Sequence, residues 1–193
     1  MDFHVNSETA TLKKLIIHSP DSGLGKVVPS KAQDWLFEDI VHLETMRKEE
    51  YDYYVKLLLF FLDPTKIKGK LSTIDNDTSR NFFIPGKPEY FKSENVIEFE
   101  TLLTDILAKG DVKSKLVAAV AAIEECSYQE MEYFSSLSAN ELTRLLITGL
   151  DKEKGMYFSP VPNLIFTRDI GIMINDHFLL NKPAKLARRR ESL

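Results

Sequence analysis

Residues 162–169 read PNLIFTRD, and residues 170–181 continue as IGIMINDHFLLN. The first stretch sets an amide, an aromatic ring, a guanidinium and a carboxylate among apolar residues. After Gly155 the apolar residues recur at a strand-like period, which predicts two strands turning at Asn175-Asp176. Asn163, Phe166 and Asp169 lie three apart. On a straight strand, residues three apart face opposite sides, so these three meet one ligand only if the chain bends. Pro160 and Pro162 favour such a bend just before Asn163. Asp169 is suited to accept hydrogen bonds from a planar guanidinium or amidinium group, and Phe166 to stack on its face. Spacing alone favours a structural reading, in which Asp169 pairs with Arg168 or ends a strand, because polar residues at strand ends are common.

Upstream, the chain alternates between strand, helix and loop signals. TLKKLIIHSPDSG reads as a strand over Leu12 to His18, stopped by Ser19-Pro20-Asp21-Ser22-Gly23. DSGLGK is not a phosphate loop, because Pro20 and Val27 occupy positions where that motif needs glycine and Ser or Thr. Tyr51, Tyr54, Val55, Leu58, Leu59 and Leu62 form one apolar helical stripe, ended by Asp63-Pro64. Residues 66–95 are rich in Gly, Pro, Asn and Asp and read as a long loop or insertion, anchored by Phe82 and Phe83. Residues 97–150 predict a small bundle of four short helices. The first of these ends at Gly110, and Asp111 caps the next, with Val112, Leu116, Val120 and Ile123 facing inward. Ser127-x-x-Glu130 and Ser138-x-x-Glu141 both fit a capping box. Gly149 falls near the last helix end.

The composition narrows the function classes. The chain has 193 residues, 44% hydrophobic and 28% charged, with a formal charge of −4. That balance does not favour nucleic acid as a partner. The basic run Lys182, Lys185, Arg188, Arg189 and Arg190 is short and lacks interleaved aromatics, so it reads first as a solvated tail. One cysteine excludes an internal disulfide and gives no metal framework. No secretory h-region begins the sequence, and its longest apolar run, VKLLLFFL, falls far short of a membrane span. These features predict a soluble, cytoplasmic protein. Cys126 follows Glu124 and Glu125, anions that suppress thiolate. His4, His18, His42 and His177 form no recognisable pair with it, and each reads as structural or solvated.

The segments SPVPNLIFTRDIGIMIND and ARRRES together resemble the arginine deiminase family, whose members share Pro-x-Pro-Asn-x-x-Phe-Thr-Arg-Asp and Ala-Arg-Arg-x-Glu segments. LKKLIIHSP resembles that family's first strand, LFEDI its Leu-Phe-Asp-Asp segment, and residues 97–150 its helical bundle. The order of motifs along the chain is the family's order. The resemblance implies an α/β fold, a partial five-module α/β propeller with an inserted helical bundle. Residues 1–65 would be the first module, 66–96 a loop or insertion, 97–150 the bundle and 151–193 the start of the next module. It implies hydrolysis of L-arginine to L-citrulline and ammonia, with no cofactor and no metal. A cysteine thiolate attacks the guanidinium carbon, a histidine shuttles protons and two carboxylates hold the nitrogens. Position by position, Asp169 would be the first guanidinium-binding carboxylate and Phe166 would line the pocket. Asn163 and Arg188 would hold the amino-acid end of the substrate. Leu36 and Asp39 would lie near the entrance. The family's second carboxylate, histidine and cysteine lie further along its sequence, and this chain ends before them.

On that reading the chain is the N-terminal part of an arginine deiminase and is inactive alone. It would form a homo-oligomer or join a complementary C-terminal chain, because a cut propeller exposes strand edges and apolar faces. The alternative is a non-catalytic remnant that acts as a scaffold, or one half of a split enzyme. The helical bundle argues against an amidinotransferase or a dimethylarginine hydrolase, and a nucleic-acid adaptor stands last.

Overall fold

Two short strands far apart in sequence pair in parallel in the computed structural model, which describes residues 4–35 and 42–193. They are β1, Leu15–Ile17, and β2, Val96–Glu98, with Leu15 opposite Val96 and Ile17 opposite Glu98. A parallel pair needs a crossover, and helices supply it here. α1 spans Leu43–Thr45, a π-helical stretch spans Met46–Tyr51, α2 spans Asp52–Leu62 and α3 spans Leu71–Asn76. The expected stripe is only partly inward. Tyr51, Val55 and Leu59 are buried against Ile17, Val96, Ile67, Ile74, Phe83 and Phe91, with Leu58 and Leu62 at the margin, whereas Tyr54 is exposed.

The segment 66–95 is less irregular than its composition indicates. It carries α3, and Phe83 and Phe91 are buried in the same core as β1 and α2. Its tightest fastening is polar. Arg80 donates from Nε and Nη2 to the two oxygens of Asp52 at 2.7 Å each, and from Nη1 to Asp21 at 3.1 and 3.2 Å. Arg47 Nε lies 2.6 Å from the same Asp21 carboxylate. Three segments, the loop after β1, the helix carrying Arg47 and Asp52, and the 66–95 segment, are thus tied together through two carboxylates. Burial works to lower the Arg80 pKa, but the bonds to Asp52 and Asp21 reverse this and hold it above the ordinary arginine value. At Asp52 burial prevails and the carboxyl titrates above its usual range.

The bundle follows, as α4 Phe99–Leu107, α5 Gly110–Ile123, α6 Tyr128–Ser136 and α7 Ala139–Thr148. Leu107, Val117, Val120, Phe134, Leu142 and Leu145 make its core. The inward face of α5 is shifted by a residue: Val117, Val120 and Ala121 are buried, while Val112, Leu116 and Ile123 are partly exposed. Gly110 is not the terminator expected. It is the first residue of α5, Ala108 closes α4, and Lys109 precedes α5 without a side-chain cap from Asp111. Both capping boxes are formed. The backbone N–H and hydroxyl of Ser127 hold the Glu130 carboxyl below the ordinary glutamate value, and the Ser138 hydroxyl and N–H do the same to Glu141. Folding lowers these pKa values, so their stabilisation is complete above the unfolded glutamate pKa and is lost as pH falls through the folded values. Acid titration followed by circular dichroism should show helix loosening in that window, and the double variant Ser127→Ala/Ser138→Ala should flatten it.

Gly149 ends α7 at φ 72°, and a Cβ there would overlap the Phe158 carbonyl oxygen. Gly149→Ala is expected to cost about 1–3 kcal/mol, because the clash is with backbone at a conformation that favours glycine. Urea denaturation measures it. β3, Leu150–Asp151, and β4, Gly155–Met156, form a small antiparallel pair. The last hairpin joins β5, Gly171–Ile174, to β6, His177–Leu180, turning at Asn175-Asp176 as expected. Among the described residues the sheets are three separate two-stranded pairs, so the architecture is mixed helix and sheet without a closed propeller. The C-terminal strands do not join β1; β2 does.

Candidate functional site

The stretch 162–169 is not a strand. Pro162–Ile165 and Thr167–Ile170 are two successive 3-10 turns that meet at Phe166. The Phe166 N–H donates to the Asn163 carbonyl and the Asp169 N–H to the Phe166 carbonyl, both at 2.9 Å. The bend foreseen at Pro162 is present, but Phe166, at φ −89° and ψ 65°, interrupts the helical path, so the two turns are not one continuous 3-10 helix: Asn163 is buried, whereas Phe166 and Asp169 are about half exposed. The segment's apolar residues explain its seat. Val161 and Leu164 are buried against Ile147 of α7, flanked by Phe99, Leu103 and Ile170. Thr167 Oγ1 donates to the Ile16 carbonyl at 2.9 Å and ties the turn to β1. Asn181 Nδ2 donates to the Asp169 carbonyl at 3.1 Å and ties it to the end of the hairpin. Three elements therefore fix the backbone that carries Asp169.

The side chains divide. Asn163 is buried, and its Nδ2 donates to the Trp35 carbonyl at 3.0 Å. It thereby fastens the residue just before the Leu36–Asp39 stretch. Leu36 and Asp39 themselves lie outside the described residues. Phe166 is half exposed. Asp169 does not pair with Arg168, whose guanidinium lies 3.9 Å from Glu8. Its partner is Arg188, which donates from Nη1 and Nη2 to Asp169 Oδ2 at 3.2 Å each. Arg188 also donates from Nε to Glu191 Oε2 at 2.8 Å. Glu191 is buried, and burial pushes its carboxyl up. The Glu191 bond is the main reason that Arg188 titrates above its ordinary value. The structure thus brings Asp169 and Arg188 into direct contact, with a guanidinium lying on the carboxylate.

The basic segment is no loose tail. Leu186–Ser192 forms a 3-10 turn, and Arg190 is drawn onto the bundle by Glu124 and the carbonyls of Leu146 and Ser159. These partners are distant in sequence, so no local pattern marks them. His18 is equally structural: its Nδ1 lies 3.0 Å from Glu98 Oε1. Glu98 Oε2 accepts from the Thr101 N–H and caps α4. Cys126 lies in the bundle, where burial first, then Glu130 and Glu124, push its thiol up. Of the two anions expected to act, Glu124 does so, while Glu130 stands in the place expected of Glu125, and burial is the larger cause. Among the described residues no group of three or more His, Cys, Asp or Glu is placed to hold a metal, and no helix is long and apolar enough to cross a membrane.

A family model described as arginine deiminase matches residues 93–193, the stretch from β2 through both 3-10 turns to Arg188. This chain belongs to the arginine deiminase family. Across 98% of its length it is 25% identical to an arginine deiminase of Listeria welshimeri and 27% identical to one of Bacillus cytotoxicus. It is 26% identical to one of Limosilactobacillus reuteri over the same share. In each case the match takes in 44% of the relative, so the chain spans less than half the length of the curated relatives it matches.

Proposed function

We propose that this chain supplies the guanidinium-binding carboxylate of an arginine deiminase, which hydrolyses L-arginine to L-citrulline and ammonia. The observation that carries this reading is the Asp169–Arg188 contact: the carboxylate, 46% exposed, accepts two N–H groups from a guanidinium at 3.2 Å. That is the pairing an arginine substrate needs, and planar donors favour carboxylate for this reason. Phe166 lines the pocket beside it. Arg188 turns from Asp169 to the substrate carboxylate when arginine enters, since one cation cannot serve both. Asn163 supports the amino-acid end and fastens Trp35. Leu36 and Asp39 stand at the entrance. The chemical steps belong to a cysteine and a histidine outside this chain. The cysteine sulfur displaces ammonia from the guanidinium carbon, and water then releases citrulline. The α/β parts belong to the five-module propeller, and the exposed hairpin β5–β6 packs on its remainder.

The chain by itself should therefore release no citrulline, because nucleophile and proton shuttle must act together. A colorimetric citrulline assay on the purified chain checks this. Turnover that survived Cys126→Ala but vanished in Asp169→Ala would refute the division of labour. The scaffold alternative makes the opposite forecast for the whole protein, namely that Asp169 and Arg188 are replaceable without loss of function.

A further inference from the structure

We infer that Glu191 is a positioning residue: it grips one edge of the Arg188 guanidinium so that the other edge exchanges Asp169 for the carboxylate of an incoming α-amino acid. The inference rests on the proposed deiminase function and adds to it the group that steers Arg188. Leu186–Ser192 is a 3-10 turn, in which residues three apart lie on one side. Arg188 and Glu191 are three apart, and the turn sets them together.

A guanidinium has edges that match a carboxylate, and two are in use here. The Nε/Nη2 edge faces Glu191, with Nε 2.8 Å and Nη2 2.7 Å from Oε2. The Nη1/Nη2 edge faces Asp169, with both nitrogens 3.2 Å from Oδ2. The two carboxylates are unequal partners. The Glu191 side chain is 2% exposed and that of Asp169 46%. Water screens and replaces the longer, exposed bonds more readily than the short, buried ones. The Asp169 edge is therefore the one that opens.

Glu191 also has bonding capacity in reserve. Its Oε1 is buried without a hydrogen-bond partner, while Oε2 meets both nitrogens. A buried carboxylate oxygen left unpaired is costly. The neighbouring cation Arg190 does not relieve it, since Glu124 and the carbonyls of Leu146 and Ser159 engage that side chain. Rotation of the Arg188 guanidinium in its plane gives Oε1 one N–H and Oε2 the other, the parallel bidentate pairing. The same rotation draws Nη1 and Nη2 away from Asp169. The substrate guanidinium then meets the freed Asp169, and its carboxylate meets the Nη1/Nη2 edge. Glu191 thus offsets the cost of parting Arg188 from Asp169.

The test has two arms. On this chain alone, NMR follows the Arg188 Nε–H, identified by its absence from Arg188→Lys. It should exchange slowly with water in the wild type and in Asp169→Asn. In Glu191→Met, which keeps the side-chain length and removes the acceptor, exchange should be at least about tenfold faster. In the native gene product, with any chain that co-purifies, Glu191→Met should raise KM for L-arginine about tenfold while kcat falls by no more than about twofold. Glu191→Gln, which restores an acceptor, should recover part of that loss. Unchanged exchange in a folded Glu191→Met chain would overturn the proposal. So would KM and kcat that change in equal proportion, or not at all. If Glu191→Met does not fold, Asp169→Asn decides: slow exchange supports the hold by Glu191, and fast exchange overturns it. A wild type that turns over no arginine, with the NMR result as expected, would instead sink the deiminase reading and leave the hold on Arg188 standing.

Discussion

Replacing Arg80 with alanine should destabilise the chain by about 3–5 kcal/mol, a large part of the stability of an ordinary domain. The side chain is 9% exposed and ties the loop after β1, the start of α2 and the 66–95 segment together through Asp21 and Asp52. Its removal leaves the buried Asp52 carboxylate without its bidentate donor, and an unpaired buried charge costs more than the pair contributes. Asp21 keeps Arg47 at 2.6 Å and is less affected. The double variant Arg80→Met/Asp52→Leu should recover most of the loss, because removing both charges avoids the uncompensated one. Urea unfolding of the wild type, the single variant and the double variant measures this. Equal losses in the single and double variants would show that packing, not charge, sets the cost.

The second large effect is catalytic. On the proposed function, Asp169→Asn in the native gene product should lower kcat/KM for L-arginine by about 10³-fold or more, the range seen when a charge-stabilising contact at the reacting group is removed. Arg188→Ala should behave differently. If it holds the substrate carboxylate, its loss raises KM more than it lowers kcat. Steady-state citrulline release for both variants separates the two roles. A similar fall in both constants for both variants would show instead that the Asp169–Arg188 contact serves the structure as a unit.

Local signals were legible and distant ones were not. The core half of the α2 stripe, both serine capping boxes and the turn at Asn175-Asp176 depend on residues within a few positions, and all appear. β2 escaped because three residues, Val96–Glu98, run directly into α4 without a turn residue between them. No period can be read from so short a stretch. Its partner strand β1 is also distant in sequence, and the His18–Glu98 contact beside the pair spans 80 residues. Arg80 gave no warning, since its carboxylates lie 28 and 59 residues away. At the candidate site, the identities of Asn163, Phe166 and Asp169 were legible from a motif, while their geometry was not. The apolar run read as strand, although Pro162 at the start of a turn was the available clue to a 3-10 path. Arg190 looked solvated because its partners, Glu124, Leu146 and Ser159, come from the bundle and the loop beyond it.

On the proposed function, Asp169 stands in an arginine-hydrolysing site. The most direct measurement is a citrulline assay with L-arginine on the native gene product isolated from its own cells, together with any chain that co-purifies with it. Citrulline and ammonia are expected in equal amounts from the wild type, and neither above background from Asp169→Asn. A wild-type protein that turns over no arginine, or an Asp169→Asn protein that turns it over as fast as wild type, would contradict that function.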